Sequence, residues 1–314
     1  MCTALNFKSN DHYFGRNLDW EHSYGERVII TPQRFPIYFR EETPMLNHYA
    51  IMGMGIVSEN YPLYFDAVNE FGLCVAGLNF PDNAVYNVPM EDKYNVAPFE
   101  VILWILSQCK TADEAKMLMT RANIIDIRFN REYGLTPMHW IISDSEKSVV
   151  AEPTYNGLML YDNPTGVLTN SPSFPIQLHN LNNYMSLSTG KPQNTFSQKL
   201  NLDEYSRGMG AIGLPGDYSS QSRFVRGVFV SHNASVCETE EESVNQFFHI
   251  LSAVEMPKGC VVTENGLEHT VYSSCINTQS GIYYYKTYAN NNIYKADIKK
   301  YDIKTDKLTV FNAQ

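Results

Sequence analysis

The order of strand-like and helix-like segments along the sequence predicts an α+β fold with antiparallel sheets. Short alternating segments joined by tight turns come first, helical spacing appears in the middle, and alternating segments return at the end. This order favours antiparallel sheets over a doubly wound parallel sheet, in which strands and helices alternate regularly. The chain contains neither a low-complexity linker nor an internal repeat, so we expect one domain over residues 2–314.

The N-terminal part of the sequence predicts a hairpin followed by further strands. Alternating residues over 3–7 and 12–15 flank a polar turn at 9–11, which is the pattern of two antiparallel strands. Three later segments have the same strand character: 27–31, 49–57 and 73–80. We therefore expect the sheets to begin at the N-terminus.

Helical spacing begins near residue 97. Over 97–109 the apolar residues recur three and four positions apart, which places them on one helix face: Phe99, Ile102, Leu103 and Leu106. A second helix is predicted from Thr111 to about residue 121, because Thr111 and Glu114 have the spacing of a capping box.

The rest of the chain alternates between strands, helices and one long loop. The predicted strands are 139–143, 148–152 and 158–161, and the predicted helices are 174–185, 219–230 and 240–254. The tail over 270–310 alternates strongly and predicts closing antiparallel strands. Residues 191–216 are rich in Gly, Asn, Ser and Pro, and we expect them to form an extended loop.

Composition and charge exclude several classes of protein. With 44% hydrophobic and 18% charged residues, the 314-residue chain can form a full core and is not disordered. A net charge of −10 disfavours nucleic acid and anionic membranes as partners. There is no apolar run of transmembrane length and no signal-peptide pattern, so a cytoplasmic location is expected. Zinc-spaced ligands and phosphate loops are also missing from the sequence, and we expect no metal and no cofactor.

Among the six cysteines, Cys2 is distinguished by its position. Removal of Met1 by methionine aminopeptidase would make Cys2 the first residue, with a free α-amine. An α-amine and a thiol titrate at about 7.7–8.0 and 8.5 in model peptides, so the amine can act as general base for the thiol of the same residue. Taken alone, a cysteine at position two more often has no function and only happens to follow the start codon.

The sequence that follows Cys2 changes this interpretation. A hairpin of the predicted size returns Arg16 and Asp19 towards residue 2. Arg16 could stabilise a thiolate and Asp19 could orient the amine. Each of these residues alone could equally form a surface ion pair at the end of a hairpin. Together with Cys2, they favour a catalytic site.

Several further segments extend this pattern along the whole chain. They are residues 1–4 and 14–19 (MCTA and FGRNLD), 69–73 and 76–81 (NEFGL and AGLNFP), 168–172 (LTNSP), 213–217 (GLPGD), 219–224 (SSQSRF), and 281–285 with 287–288 (GIYYY and TY). In this order they resemble the choloylglycine hydrolase family, which holds conjugated bile salt hydrolases and penicillin V acylases. The combination is highly specific, although no single segment is.

The resemblance implies a fold and residue roles. The fold would be the four-layer αββα sandwich of N-terminal nucleophile hydrolases, with two antiparallel sheets between helical layers. Cys2 would be the nucleophile, with its α-amine as the base and with Arg16 and Asp19 beside it. The oxyanion hole would be formed by the backbone N–H of Asn79 and the side-chain amide of Asn170. Arg223 would complete the electrostatic environment.

The resemblance also points to conjugated bile salts as substrates. Asn79, the segment 213–217 and the segment 222–224 are similar to the bile salt branch of the family. A steroid needs a broad apolar wall, and seven residues lie in segments that could form it: Leu18, Tyr24, Ile56, Phe65, Ile127, Phe129 and Leu135. Each of these side chains could equally belong to the ordinary core. The loop over 191–216 would clasp a neighbouring chain in a homotetramer.

Three alternatives remain open from the sequence. A penicillin V acylase or an acyl-homoserine-lactone acylase would use the same chemistry on another acyl group. A papain-type hydrolase would need a histidine as the base. A non-catalytic binding protein of the same fold would tolerate loss of the Cys2 thiol.

Overall fold

The computed structural model describes residues 1–312, which form two large β-sheets and five α-helices. The strands are β1 (Cys2–Lys8), β2 (His12–Trp20), β3 (Arg27–Thr31), β4 (Ile51–Ser58), β5 (Tyr61–Asn69), β6 (Cys74–Asn79), β7 (Tyr94–Val96), β8 (Ala122–Ile124), β9 (Met138–Ser143), β10 (Ser148–Thr154), β11 (Gly157–Asp162), β12 (Val167–Leu168), β13 (Val261–Thr263), β14 (Gly266–Asn277), β15 (Ile282–Thr287), β16 (Asn290–Asp297) and β17 (Thr309–Val310). The helices are α1 (Val101–Leu106), α2 (Ala112–Met119), α3 (Phe174–Asn180), α4 (Ser220–Asn233) and α5 (Glu240–Ser252).

Both large sheets are antiparallel. The first has the order β12-β1-β2-β14-β15-β16, with β13 attached to β14. Strand β1 therefore lies inside this sheet, and its hairpin partner β2 pairs on the other side with a strand from the last fifth of the chain. The second sheet has the order β11-β10-β9-β6-β5-β4-β3-β17. Only the short pair β7 and β8, in a separate two-stranded sheet, is parallel among the described strands.

The two sheets stack face to face between two layers of helices. One apolar cluster joins Leu5 and Phe14 of the first sheet to Met52 and Ala76 of the second. The same cluster continues through the first sheet to α4 and α5, on the outer side. A second cluster packs α1 and α2 against the outer face of the second sheet, around Trp140. The predicted four-layer αββα sandwich is confirmed.

Most of the predicted elements are present, and the helix over 97–109 is the main difference. It starts with a 3₁₀ turn at Pro98–Glu100 and is α-helical only over α1. The side chain of Asn69 donates hydrogen bonds to the carbonyls of Leu106 (3.0 Å) and Cys109 (2.7 Å). These bonds satisfy two carbonyls at the C-terminal end of the helix, which have no partner within it.

Strand β5 is absent from the sequence-based prediction. Seven of its nine residues are buried, on both faces, because one face meets the other sheet and the other face meets α1. Pro62 and the charged Asp66 interrupt its apolar run, so neither regular alternation nor a continuous apolar segment marks it as a strand. This strand supplies Asp66, which matters for the site described below.

Residues 191–216 run over the surface, as the composition predicts. The only regular segment assigned there is a 3₁₀ turn at Met209–Ala211, and most of the side chains are exposed. Along the described part of the chain, no helix combines the length and the apolar character needed to cross a bilayer.

Candidate active site

The hairpin of β1 and β2 brings Cys2 beside Arg16 and Asp19. Cys2 is directly opposite Leu18 in the register, and the backbone N–H of Asp19 donates to the carbonyl of Met1 (3.1 Å). Arg16 and Asp19 are fully buried, and Cys2 is 3% exposed. The predicted return of the hairpin is confirmed, and the three residues share one buried site.

Arg16 spans the gap between the two sheets beneath the thiol. One of its terminal nitrogens donates to the carbonyls of Phe65 (2.9 Å) and Gly77 (2.6 Å), both in the second sheet. Its Nε and Nη2 atoms have no hydrogen-bond partner within residues 1–312. Burial disfavours the charge on Arg16, but the negative charges of Cys2, Tyr272 and Asp66 outweigh this effect and raise the pKa of the guanidinium. Arg16 therefore remains a cation.

Asp19 lies at the centre of the charged groups. Its Oδ1 accepts a hydrogen bond from the Thr270 hydroxyl (2.6 Å), and its Oδ2 lies 3.9 Å from a terminal nitrogen of Arg223. Burial raises the pKa of the Asp19 carboxyl, although the charge of Arg223 opposes this shift. The carboxylate is thus a buried group whose second oxygen can accept a further hydrogen bond.

Arg223, from helix α4, reaches the backbone of the first strand. Its Nη1 donates to the Cys2 carbonyl (2.5 Å) and to the Thr3 hydroxyl (2.6 Å), and its Nη2 donates to Asn170 Oδ1 (2.7 Å). Burial lowers the pKa of Arg223, while the nearby charges of Asp19 and Cys2 act in the opposite direction. This arginine fixes the main chain that carries the thiol.

Asn170 connects the first strand to the second sheet. Its Oδ1 also accepts the backbone N–H of Cys2 (2.9 Å), and its Nδ2 donates to the Asn79 carbonyl (2.7 Å). A side-chain amide nitrogen carries two hydrogens, so one remains available for another acceptor. The six residues that the sequence predicts as catalytic, Cys2, Arg16, Asp19, Asn79, Asn170 and Arg223, therefore come together at one place.

The N-terminal amine is buried beside these groups. The Met1 ammonium pairs with Glu268 and donates to the Asp19 carbonyl (2.9 Å). Burial lowers the pKa of this ammonium, while the charges of Cys2 and Asp19 oppose the shift. Removal of Met1 would leave the nitrogen of Cys2 as the α-amine, already 2.9 Å from Asn170 Oδ1.

A cavity of about 230 Å³ opens on Cys2, Arg16 and Asn79. Of the seven residues predicted to form an apolar wall, five line it: Leu18, Tyr24, Ile56, Phe65 and Phe129. Ile127 and Leu135 do not line it; Ile127 is half-buried and Leu135 is 39% exposed. The wall is thus largely aromatic and aliphatic, with Glu132 and Thr136 as polar groups besides those around the thiol.

Sequence reasoning missed several residues of this cavity. The additional apolar lining is formed by Trp20, Leu63, Pro98, Phe99, Ile102, Tyr133 and Met138. These residues belong to six different segments of the chain, so no local pattern could have grouped them. Apart from their apolar character, which core residues share, they carry no signal in the sequence.

Asp66 is a second missed residue. It is a fully buried carboxylate that accepts hydrogen bonds from the hydroxyls of Tyr272, Tyr283 (2.6 Å) and Ser274 (3.0 Å), all in the first sheet. Burial raises the pKa of Asp66, and the charge of Arg16 opposes this shift. Asp66 therefore balances the buried arginine from the second sheet. A lone acid in an otherwise apolar segment was its signal in the sequence.

No cluster of three or more metal-ligating side chains occurs among the described residues. What the site offers is a buried thiol, two guanidinium groups, a carboxylate and an amide donor at the end of an apolar cavity. This combination suits nucleophilic attack on a carbonyl carbon and stabilisation of the oxyanion that results.

The sandwich and its site define an N-terminal nucleophile hydrolase, a class confirmed by comparison with solved structures. Conjugated bile acid hydrolase from Clostridium perfringens, solved as a C2A mutant, superposes with a TM-score of 0.92 at 34% identity, covering 100% of this chain and 97% of that one. Penicillin V acylase from Agrobacterium tumefaciens shares the fold, with a TM-score of 0.76 at 20% identity over 98% and 90% of the two chains.

Sequence comparison identifies the family. The model of the linear amide C–N hydrolases, choloylglycine hydrolase family, matches residues 2–311. A bile salt hydrolase/transferase from Lactiplantibacillus plantarum is 49% identical over 98% of this chain and 95% of its own length. A conjugated bile acid hydrolase from Lactobacillus acidophilus is 39% identical over 90% and 92%. The chain belongs to the choloylglycine hydrolase family and is a hydrolase of linear amides.

Proposed function

We propose that this enzyme hydrolyses the amide bond of glycine- or taurine-conjugated bile salts through a thioester on Cys2. The observation that carries the proposal is the cavity, which joins the Cys2 thiol to a continuous apolar wall. A conjugated bile salt combines a rigid apolar steroid with a short anionic tail across an amide. The names of the relatives point to the same substrates, and their similarity extends over almost the entire chain.

The proposed reaction begins after removal of Met1. The α-amine of Cys2 accepts the thiol proton, and Sγ attacks the carbonyl carbon while the carbonyl electron pair moves to oxygen. The backbone N–H of Asn79 and the free hydrogen of the Asn170 amide stabilise this oxyanion. The C–N bond then breaks as the Cys2 ammonium protonates the leaving nitrogen. Water attacks the thioester in the same way, which releases the bile acid and restores the thiol.

Arg16 and Asp19 have supporting roles in this scheme. The unpartnered nitrogens of Arg16 supply positive charge next to the thiol, which favours a thiolate. Asp19, whose Oδ2 is free of hydrogen bonds within the described chain, is available to orient the α-amine once Met1 has gone. Both groups favour the pair of thiolate and α-ammonium that precedes attack.

The first prediction concerns the nucleophile. Intact mass of the active enzyme should correspond to loss of Met1, and Cys2→Ala should abolish turnover with the fold intact. Cys2→Ser should be severely impaired, because a hydroxyl is a much weaker nucleophile near neutral pH. Cys237→Ala, a partly exposed cysteine elsewhere, is the matched control and should retain full activity. Full activity with Met1 retained would exclude the mechanism.

The second prediction concerns the substrate. Apolar burial contributes roughly 25 cal/mol per Å². A steroid therefore provides more binding energy for positioning the amide than a phenoxyacetyl group does. We expect kcat/KM for taurocholate or glycocholate to exceed that for penicillin V by at least about tenfold, which corresponds to about 1.4 kcal/mol. Equal or faster hydrolysis of penicillin V would assign the enzyme to the acylases and leave the role of Cys2 unaffected.

The residues around the cavity bear differently on each of the alternative functions. The lining of the cavity contains no histidine among the described residues, which argues against a papain-type base. An acyl-homoserine-lactone acylase would use the same site, and inclusion of such a lactone in the substrate panel distinguishes it. A non-catalytic binding protein would retain its function in Cys2→Ala, whereas a hydrolase would not.

We also propose that the chain assembles as a homotetramer through the loop over 191–216. This loop exposes large apolar side chains that a monomer would leave in water: Phe196, Leu200, Leu202, Tyr205 and Ile212. A concentration of exposed apolar groups of this kind marks an interaction surface.

A further inference from the structure

A buried histidine–glutamate pair lies directly behind the two asparagines of the site. His139, in β9, and Glu152, in β10, both have 0% exposure. The imidazole Nδ1 is 3.1 Å from Glu152 Oε1, and Nε2 is 2.9 Å from the carbonyl oxygen of Thr169. His139 is not part of the cavity lining, so it is not placed to exchange protons with the substrate.

The hydrogens in these contacts determine the net charge of the His139–Glu152 pair. The Thr169 carbonyl can only accept, so Nε2 must carry a hydrogen and donate it. A second proton lies between Nδ1 and Oε1, whichever atom holds it, because two bare lone pairs would repel each other at that distance. The pair therefore has no net charge, which makes its complete burial tolerable.

The imidazole holds a neighbour of each proposed oxyanion donor. Thr169, whose carbonyl it binds, immediately precedes Asn170. Phe80, which immediately follows Asn79, stacks on the face of the same imidazole ring, with centroids 4.3 Å apart and planes inclined by 8°. One side chain thus touches both of the segments that must remain in register for two donors to point at one oxygen.

Glu152 extends this support to the far side of Asn170. Its Oε1 also accepts the backbone N–H of Phe174 (2.9 Å) at the start of α3. From the same helix, Gln177 donates to the Asn170 carbonyl (3.2 Å). The segment that carries Asn170 is therefore fixed at both ends by the histidine–glutamate pair.

We propose that His139, oriented by Glu152, is a positioning residue for the oxyanion hole. The inference depends on the proposed function, because it assumes that Asn79 and Asn170 are the donors. Loss of the bond from Nε2 to Thr169 should let Asn170 move relative to Asn79. Cys2 and Arg223 each donate one hydrogen bond to Asn170 Oδ1, which they lose or keep as Asn170 moves. The bonds from Arg16 to the Gly77 carbonyl and from Arg223 to the Cys2 carbonyl do not involve Asn170, so we expect the thiol to stay in place.

Two substitutions of His139 isolate the hydrogen bond from Nε2 to the Thr169 carbonyl. The amide nitrogen of glutamine is three bonds from Cβ, as Nε2 is, and that of asparagine is two bonds away, as Nδ1 is. His139→Gln can therefore still donate to the Thr169 carbonyl, whereas His139→Asn can reach only Glu152. Both variants lose the ring that stacks on Phe80, so each is the packing control for the other.

We expect kcat for a conjugated bile salt to be at least about tenfold lower in His139→Asn than in His139→Gln, since misplacement by ~1 Å can cost about 10²-fold. KM should change by less than about threefold, because an oxyanion donor acts mainly on the transition state. The rate at which iodoacetamide alkylates Cys2 should equal that of the wild type in both variants. A merely structural defect would lower the kcat of both variants alike or alter alkylation as well.

The outcomes separate this inference from the proposed function. Equal kcat in the two variants, or a parallel loss of alkylation, would overturn the positioning role of His139. If Asn170→Ala itself left kcat unchanged, the oxyanion assignment would fail first. Should neither His139 variant fold, Glu152→Gln provides the test. The amide oxygen of Gln can accept from both Phe174 and Nδ1 only if His139 is a buried cation without a counter-charge, so one of the two bonds should be lost. An unchanged kcat in that variant would equally overturn the proposal.

Discussion

The side chain of Asn170 is oriented by three hydrogen bonds that leave it a single arrangement. Its oxygen faces two donors, from Cys2 and Arg223, and its nitrogen faces the carbonyl of Asn79. If the amide were flipped, its NH₂ group would face two N–H donors and its oxygen would face the Asn79 carbonyl, so all three hydrogen bonds would be lost. The remaining N–H therefore has a fixed direction before any substrate binds, which is what a preorganised oxyanion donor requires.

Replacement of Asn170 by alanine tests this role. We expect kcat to fall by roughly 10²-fold or more, because the donor stabilises charge that develops only in the transition state. KM should change much less. Steady-state kinetics with glycocholate measures both constants, and Asn156→Ala, at an exposed turn, is the control. A kcat equal to that of the wild type would exclude Asn170 from the oxyanion hole.

At this scale, the sequence predicted what lies close together along the chain. Arg16 and Asp19 could be placed beside Cys2 because one hairpin joins them. Asn170 and Arg223 became site candidates only through the family resemblance, since 168 and 221 residues separate them from Cys2. Five of the seven predicted wall residues line the cavity, but the rest of its lining comes from segments distant in the sequence, which no local pattern groups.

Strand β2 forms the backbone of the site at the scale of secondary structure. Its residues are buried from His12 to Asp19, including the charged ones, because it lies inside one sheet and faces the other. At Gly15 the neighbouring strand β14 approaches so closely that a Cβ atom would lie 2.0 Å from the Ser274 carbonyl oxygen. Only glycine allows this approach.

Gly15→Ala should therefore destabilise the protein and impair catalysis together. Overpacking of a buried site typically costs about 1–3 kcal/mol. The strand must also shift at the residue next to Arg16, so kcat should fall as well. Urea unfolding and steady-state kinetics measure the two effects. Gly216→Ala, where a Cβ meets no atom within 4 Å, should be neutral in both, and a neutral Gly15→Ala would refute the close approach.

Sequence analysis recovered the helices with a capping signal and the strands whose apolar run is uninterrupted, including the buried β4 and β6. Helices α2 and α5 begin at Thr111 and Thr239, whose hydroxyls accept the N–H of the residue three positions on. Strand β5 was missed because Pro62 and the charged Asp66 interrupt its apolar run.

At the scale of the whole molecule, the exposed loop over 191–216 predicts that the chain assembles into a tetramer. Light scattering after size exclusion should give a tetramer for the wild type, four times the 35.8 kDa of one chain. Phe196→Ser combined with Tyr205→Ser should yield smaller species, because each of these side chains is 83% exposed in the single chain. Tyr155→Ser, at a 91% exposed side chain in another turn, is the matched control. A monomeric wild type at micromolar concentration would contradict the proposal.

The position of β1 inside its sheet has a consequence for biosynthesis. The strand that carries Cys2 emerges from the ribosome first, but β12 and β14, which enclose its hairpin, are synthesised much later. At ~5–20 residues per second, the wait for β14 lasts on the order of tens of seconds. In the folded chain the Met1 amine is paired with Glu268, and the nascent N-terminus is open to an aminopeptidase until that residue has been added. We therefore expect the proposed removal of Met1 to occur during translation, before the sandwich closes.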